Sequence, residues 1–309
     1  MKPKPYTFTY MPKPPYWFTG HLERFSLPNR PLPWIYDWGE KSCRRLIGYR
    51  EALVPVKVYF RGEPWMPSVK TVIWSRSAEQ ARGLNEALLE CIRARFDYRE
   101  FLAVLDGWPR LRVLAEKYPG LRPGRTMSLY EALVDSVVKQ RIALRMALRV
   151  QSRLVSRYGA KLVMKDEVFY SFPLPEALAS SKVEDLYGLG LTRMKARALR
   201  EIALAEVEGR LPSVGEVVRD PQGNIEELTG LYGVGRWTAE LSIAMVHPRF
   251  PVGPASDLAV SRGLERLLGL KLSEARLREL LEDLGDYLGL IMYLAAYDYE
   301  SAKKRGRQG

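Results

Sequence analysis

Short segments of the first hundred residues alternate between hydrophobic and other positions. Val54, Val56 and Val58 occupy every second position, which is the period of a β-strand with one buried face. Segments with a similar content of β-branched and aromatic residues are 34–36, 53–60 and 69–74. Residues 62–64, Gly-Glu-Pro, predict a turn between two of these strands. The pattern therefore predicts an antiparallel sheet near the N-terminus.

The period of the hydrophobic positions changes at residue 77. Between residues 77 and 96 they fall on the stripe that an amphipathic helix buries. The stripe consists of Ala81, Leu84, Leu88, Cys91 and Ile92. We therefore predict that residues 1–100 form an N-terminal domain, an antiparallel sheet that carries a helix.

From residue 101 onward, nearly every segment has a helical period and a recognisable cap. The predicted helices are 128–158, 192–209, 225–229, 236–247, 257–268, 273–283 and 286–302. In the first of them, Ser128 and Glu131 have the spacing of a capping box, and Gly159 is the expected end. We therefore predict an all-α domain over residues 101–309 and assign the chain to the α+β class, mainly α-helical.

The composition is strongly basic. The 309 residues include 48 Lys and Arg against 36 Asp and Glu, which gives a net charge of +12 and a pI near 9.6. Such an excess predicts a polyanionic partner, with a membrane surface as the alternative to nucleic acid. No apolar run approaches the roughly 18 residues of a membrane-spanning helix, and residues 1–15 lack the apolar core of a signal peptide. We therefore expect an intracellular protein that does not enter membranes.

Cysteine and histidine are scarce. The chain has only Cys43, Cys91, His21 and His247, all far apart in sequence. This count excludes a disulfide scaffold, a four-cysteine zinc site and a four-cysteine iron–sulfur cluster. We therefore expect that no cofactor is required.

Much of the positive charge lies in one segment. Residues 121–165 contain ten basic and two acidic residues, which is eight of the twelve net charges. Five arginines recur there at steps of four, so that in one helix they would form a slowly drifting row. They are Arg141, Arg145, Arg149, Arg153 and Arg157. A solvated helix face and a nucleic-acid footprint explain such a row about equally well, but repulsion between the like charges favours a bound polyanion.

Residues 228–240 have the pattern of two helices joined by a tight glycine turn. Gly230, Gly233 and Gly235 allow left-handed backbone angles and the close approach of a large anion. The first amides of the following helix have no partner within the helix, so they can hold a phosphate without basic side chains. An ordinary helical hairpin with a glycine turn is the alternative.

Asp257 is the only acid between Glu240 and Glu265. It stands at the end of a proline-rich loop, residues 248–254, where a predicted helix begins. An aspartate at this place is commonly a helix N-cap, and a functional carboxylate is the alternative.

Taken together, residues 128–268 resemble the helix-hairpin-helix DNA glycosylases. The matching segments are 131–140, Phe172-Pro173 with Glu176 and Leu178, 186–190, Lys195-Ala196, 208–212, the glycine turn and the loop that ends in Asp257. Residues 233–239 are similar to the hairpin of the 3-methyladenine DNA glycosylase II (AlkA) branch, whose N-terminal sheet domain also fits the first hundred residues. We therefore expect the fold of that branch.

The resemblance implies a role for each matching residue. Asp257 would be the catalytic carboxylate, which stabilises positive charge on the sugar and orients the attacking water. The target base must first leave the stack, and Arg141, just after Gln140, stands where the family has an apolar wedge. The implied DNA contacts are Gln140, Arg141, Arg145, Gly233, Gly235, Arg236 and Thr238. The carbonyls of Thr229, Leu231 and Val234 match positions that hold a monovalent cation, Na⁺ or K⁺.

The resemblance also separates two reaction types. Glycosylases that cut the strand use a lysine at the position of Trp237, whereas here no lysine occurs between Lys195 and Lys271. The sequence therefore predicts a monofunctional enzyme that uses water. Trp237 would then be a pocket wall that attracts a cationic alkylated base, completed by Tyr293 and Tyr297 on the last helix; core packing is the alternative for Trp237.

We therefore expect a monomeric, monofunctional DNA glycosylase of base excision repair. It would flip and hydrolytically excise alkylated purines of the 3-methyladenine type from double-stranded DNA, in the cytoplasm at the nucleoid. The alternatives are a glycosylase for oxidised or deaminated bases, such as 8-oxoguanine or hypoxanthine, and a DNA-binding protein without catalysis. Three asparagines and five glutamines, with abundant Arg and Glu, indicate a thermophilic source.

Overall fold

The N-terminal part of the chain is a five-stranded antiparallel sheet with two helices. The computed structural model describes residues 2–27, 30–49 and 52–305. The strands are β1 (Lys4–Tyr10), β2 (Ile35–Asp37), β3 (Ser42–Tyr49), β4 (Ala52–Arg61) and β5 (Ser68–Ser75), in the order β1-β5-β4-β3-β2. The short helix α1 (Thr19–Arg24) follows β1, and α2 (Ala78–Cys91) follows β5. The predicted antiparallel sheet and its helix are confirmed.

The centre of β4 is buried on both faces, whereas the sequence predicts a strand with one buried face. Val54, Val56 and Val58 lie in the core under α2. Lys57, on the opposite face, is also buried and forms ion pairs with Glu167 at 2.5 Å and Glu40 at 2.7 Å. Charge pairing therefore allows a lysine to occupy a covered face of the sheet.

A β-hairpin covers that second face, and it corrects the prediction that residues 101–309 are all-α. Its strands are β6 (Lys161–Met164) and β7 (Glu167–Tyr170). The turn residues Lys165 and Asp166 have φ values of 49° and 64°, as a two-residue type I′ turn requires. Phe169 packs edge to face on Trp74, with ring centroids 5.7 Å apart. Contact with the large sheet therefore stabilises a hairpin whose own alternation is weak.

The remainder of the described chain is helical. The helices are α3 (Tyr98–Val104), α4 (Pro109–Lys117), α5 (Leu129–Lys139), α6 (Leu144–Tyr158), α7 (Pro175–Ala179), α8 (Val183–Tyr187), α9 (Arg193–Val207), α10 (Val214–Arg219), α11 (Pro221–Thr229), α12 (Arg236–Val246), α13 (Leu258–Leu268), α14 (Glu274–Glu282) and α15 (Leu288–Arg305). Helices α5 to α12 pack around one apolar core, and α3, α4 and α13 to α15 pack around another. The site described below lies where these two cores meet.

The predicted helix over residues 128–158 is wrong, because the chain forms two helices there. It leaves the helical path after Lys139, and Arg141 has a left-handed φ of 52°. The Nζ of Lys195 on α9 donates to the carbonyls of Val138 at 3.0 Å and Gln140 at 2.6 Å. These contacts satisfy the carbonyl groups at the end of α5, so a residue distant in sequence decides where the helix stops.

The predicted capping box at the start of α5 is only half formed. The Ser128 hydroxyl accepts the Glu131 amide at 3.1 Å. The Glu131 carboxylate instead forms two 3.1 Å hydrogen bonds with Arg45 of β3, and both side chains are buried. The glutamate therefore joins the N-terminal sheet to the helical part of the chain.

Candidate active site and DNA-binding elements

The glycine turn joins α11 to α12 and keeps the start of α12 open. Gly233 has a φ of 77°, and a Cβ there would approach the Cβ of Ala198 to 2.6 Å. Both the backbone angle and the packing on α9 therefore require glycine. Gly235 is the N-cap of α12 and is exposed, and a Cβ at this position would have no atom within 4 Å. The first amides of α12 therefore begin at an open surface.

Gln140 ties the loop between α5 and α6 to this turn. Its Nε2 donates to the Gly233 carbonyl and to the Thr238 hydroxyl, both at 2.9 Å. Thr238 is buried, so its side chain positions Gln140 and does not face solvent. Arg141, the next residue, is exposed at the tip of the loop. The structure thus brings Gln140, Arg141, Gly233 and Thr238 together and leaves only some of them open to solvent.

Arg236, at the first position of α12, is half exposed. Its Nε pairs with Glu240 at 2.9 Å. Glu240 is 1% exposed and also pairs with Arg278 at 2.9 Å. The guanidinium of Arg236 therefore already has a carboxylate partner.

Asp257 is the N-cap of α13, as the commoner interpretation of its position predicts. Its Oδ1 accepts the amides of Ala259 at 2.8 Å and Val260 at 3.3 Å. Its Oδ2 accepts the indole Nε1 of Trp237 at 3.1 Å. The helix cap and the indole together fix the orientation of the carboxylate, so capping and a functional role are compatible.

Asp257 and Trp237 line a cavity of about 220 Å³. Tyr293 also lines it, whereas Tyr297 does not contribute to its wall. Tyr297 packs beside Tyr118, with ring centroids 5.1 Å apart, and under the Arg24 guanidinium. Sequence reasoning missed several wall residues, which are Arg24, Phe25, Lys139, Ile142, Leu144, Met292 and Glu300. Arg24 and Phe25 come from the N-terminal part, so both parts of the chain build the cavity.

The wall at Tyr293 is neutral. Its hydroxyl shares a 3.1 Å hydrogen bond with Nδ1 of His21 on α1. Burial, assisted by the nearby cations Lys139 and Arg24, lowers the pKa of His21 to about 3. Burial also raises the pKa of Tyr293. Near pH 7 both rings are therefore uncharged, and this wall presents aromatic faces to the cavity.

The carbonyls predicted to hold a cation lie close together in sequence at the C-terminal end of α11. Thr229 is the last residue of this helix, and Leu231 and Val234 lie in the turn. The Leu231 carbonyl accepts the Val234 amide at 3.1 Å, which leaves it a second lone pair. The negative end of a helix dipole favours a cation at such a place.

Four members of the arginine row lie on α6, and Arg141 precedes it. All five are exposed. Within the described residues, no helix is long and apolar enough to cross a membrane, and no group of three His, Cys, Asp or Glu side chains is placed to hold a metal. None of these five arginines lines the cavity, so the basic surface is distinct from it.

Comparisons with known proteins match this architecture. Residues 134–286 match the family model described as HhH-GPD superfamily base excision DNA repair protein. DNA-3-methyladenine glycosylase 1 of Schizosaccharomyces pombe is 34% identical over 97 residues, which are 31% of this chain and 42% of that protein. DNA-3-methyladenine glycosylase 2 of Escherichia coli is 30% identical over 160 residues, which are 51% of this chain and 55% of that protein. The chain thus spans about half the length of the curated relatives it matches.

A solved structure covers nearly the whole chain. The 3-methyladenine DNA-glycosylase from Archaeoglobus fulgidus aligns with a TM-score of 0.80 at 27% identity, over 94% of this chain and 98% of that one. The likeness therefore includes the N-terminal sheet as well as the helical region.

Proposed function

Because the chain belongs to the HhH-GPD superfamily of base excision DNA repair proteins, we propose that it is a monofunctional DNA glycosylase. It flips an alkylated purine of the 3-methyladenine type out of double-stranded DNA and hydrolyses the N-glycosidic bond. The observation that carries this proposal is the Asp257 carboxylate, which is held by Trp237 in the wall of a base-sized cavity beside the glycine hairpin. The names of the three relatives support the substrate class.

The chemistry follows from where the carboxylate is fixed. Loss of the base develops positive charge on the sugar, and a carboxylate held beside it stabilises that charge without having to reorganise. The Ala259 amide and the Trp237 indole hold Asp257 in one orientation. The same carboxylate orients the water that attacks the sugar.

The pocket suits an electron-poor base. Trp237, Tyr293 and Phe25 offer aromatic faces, which attract a cationic alkylated purine more strongly than a normal base. The neutral His21 adds no positive charge that would repel it, and the two cations in the wall, Arg24 and Lys139, are paired with Glu300 and Asp135. Loss of pairing in the damaged nucleotide also lowers the cost of flipping.

The open amides at the start of α12 hold a backbone phosphate near the flipped nucleotide. We propose that the carbonyls of Thr229, Leu231 and Val234 would hold a Na⁺ or K⁺ ion, which would add positive charge at the hairpin. If DNA affinity at constant ionic strength is the same in Na⁺, K⁺ and tetramethylammonium salts, no ion acts there.

Strand cleavage needs an amine that forms a Schiff base with the sugar. Lys139 lines the cavity, but its ammonium group is held in an ion pair with Asp135 on the same helix. We therefore expect that borohydride traps no covalent complex with DNA, and a trapped complex lost in Lys139→Gln would overturn the monofunctional assignment.

The central test is single-turnover base release from a panel of duplexes, each with one lesion. Asp257→Asn keeps a residue that can cap α13 and removes the charge, so we expect release to fall by at least about 10²-fold while the fold persists. Asp220→Asn is the matched control, because Asp220 caps α11 by accepting the Gly223 amide. Release unchanged by Asp257→Asn would refute the mechanism.

The lesion panel also decides the substrate class. Faster release of 8-oxoguanine or hypoxanthine than of 3-methyladenine would favour the oxidised or deaminated substrates, and salt-sensitive binding without release of any base would favour a DNA-binding protein. A DNA substrate places the enzyme at the chromosome, and we propose that it acts there as a monomer in the cytoplasm.

A further inference from the structure

A second basic site lies apart from the cavity, between the N-terminal part and α6. A cleft of about 280 Å³ is lined by Arg30, Arg149, Ser152 and Arg153. Arg30 follows α1 in sequence, and the other three residues occupy neighbouring positions on α6. All three arginines are exposed, and no acid lines the cleft. Two parts of the chain thus bring three guanidinium groups to one small space.

These guanidinium groups have no carboxylate partner among the residues that the structure describes. Arg149 donates to the sulfur of Met146 at 3.6 Å, and Arg153 donates to the Leu189 carbonyl at 2.9 Å. Elsewhere on the surface, arginines such as Arg112 and Arg278 have acid partners. Three unneutralised charges around one cleft repel each other, and a bound anion would remove that repulsion.

Arg153 is held in position before any ligand arrives. Its carbonyl partner, Leu189, lies in the turn between α8 and α9. The next residue, Gly190, has a φ of 94°, and a Cβ there would come within 2.8 Å of the Arg153 Nη1. The glycine therefore leaves room for the guanidinium, whose planar shape can donate two parallel hydrogen bonds to a phosphate.

We propose that this cleft binds a phosphate of the DNA backbone in the flank of the damaged site. The inference rests on the proposed function, because it takes DNA as the ligand. Arg145 on the same helix is one of the DNA contacts that the resemblance implies. At 1.5 Å per residue, Arg153 lies about 12 Å along α6 from Arg145, which is the length of about three to four base-pair steps of 3.4 Å. The cleft therefore holds DNA away from the flipped nucleotide and makes the N-terminal part a direct contact for the duplex.

The test uses the full chain with the double variant Arg30→Gln/Arg153→Gln. Anisotropy titrations with an undamaged duplex of 30 base pairs at several KCl concentrations give the slope of log Kd against log salt. We expect the slope to decrease by about 1 unit, since the cleft holds one phosphate and each phosphate contact contributes about 0.9. Affinity at the highest salt should change less than affinity at the lowest.

Arg157→Gln is the matched control, because Arg157 is exposed on the same helix outside the cleft. Because Arg157→Gln removes one charge and the double variant removes two, a decrease in slope half as large as that of the double variant, or larger, would mean that a general positive field explains the affinity, and the cleft proposal would be wrong. An unchanged slope in the double variant also refutes it.

The position of the contact is tested with duplexes that carry one lesion, because the lesion fixes the register of the protein on the DNA. Shortening the flank on one side should remove the difference between wild type and the double variant, while shortening the other side leaves it. A difference that survives both truncations refutes a flank contact. Base release at saturating enzyme should be unchanged in the double variant, so the cleft and the proposed function can fail separately.

Discussion

His21 gives the clearest test of how the two parts of the chain build the cavity wall. The imidazole is half-buried among aromatic rings, with Phe18 at 5.5 Å, Phe25 at 4.7 Å and Tyr293 at 5.9 Å between ring centroids. Its pKa falls from 6.5 to about 3 in the folded protein. Below pH 6.5 the unfolded chain therefore binds a proton that the folded chain rejects. Stability is thus lost as the pH falls through 6.5, by about 1.4 kcal/mol per unit until the folded pKa is reached.

The magnitude at a practical pH is large enough to measure. Between pH 7.5 and pH 5, His21 alone should cost about 2 kcal/mol of unfolding free energy. His21→Phe replaces the imidazole with a ring that fits the aromatic neighbours and cannot titrate. It also leaves the Tyr293 hydroxyl without its partner, which costs about 1 to 3 kcal/mol at every pH. The variant should therefore be less stable at pH 7.5 and lose less stability on acidification.

Urea unfolding followed by tryptophan fluorescence at pH 7.5, 6 and 5 measures both effects. Carboxylates titrate in the wild type and the variant alike, so the difference between the two pH profiles isolates His21. His247→Asn removes the other histidine and should leave the His21 contribution in place. Parallel profiles for wild type and His21→Phe would show that the imidazole is hydrated or charged in the fold, and would refute the neutral wall.

Three further changes test the contacts that position the site. Glu131→Gln should lower the free energy of unfolding in urea by about 3 kcal/mol, because it leaves Arg45 buried without its charge partner. Ser128→Ala removes only the helix cap and should lower it by about 1 kcal/mol. Equal losses in the two variants would contradict this. Lys195→Met removes the donor to Val138 and Gln140, so single-turnover base release should fall while the folded fraction stays near wild type; release at the wild-type rate would contradict the role of this loop. Trp237→Phe keeps an aromatic wall but removes the indole donor to Asp257. We expect base release to slow about tenfold, which is about 1.4 kcal/mol, with little change in DNA affinity. An equal loss of DNA affinity would indicate a binding role instead.

Elements with local signals could be predicted from the sequence. Thr192 caps α9, Gly235 precedes α12 and Asp257 caps α13, and each signal lies within a few residues of the helix that it starts. The break at Arg141 has no such signal, because the lysine that ends α5 lies on α9. The β6–β7 hairpin likewise depends on the sheet beneath it. In both cases tertiary contacts override the local pattern.

The candidate site likewise contains residues that the sequence could predict and residues that it could not. Trp237 and Asp257 stand in recognisable segments, and the structure places them in hydrogen-bond contact. Arg24 and Phe25 stand in no recognisable motif, and they reach the cavity only because α1 packs against α15, more than two hundred residues later in sequence. The same packing brings His21 to Tyr293 on the cavity wall. Tyr293 and Tyr297 lie one helical turn apart on α15, and the sequence does not distinguish them. Tyr293 lines the cavity, whereas Tyr297 packs beside Tyr293 and does not line it.

Several of the basic residues in the strongly basic segment 121–165 are not available at the surface. Of the basic residues between 121 and 165, Arg122 is fully buried and donates to the carbonyls of Gly120 and Pro15. Burial lowers the pKa of Arg122 to about 10, which still leaves it charged at neutral pH. Arg125 similarly donates to the Val246 carbonyl, and Lys139 pairs with Asp135. These three cations make contacts inside the protein, so the net charge overstates the number of cations that are free to contact phosphates.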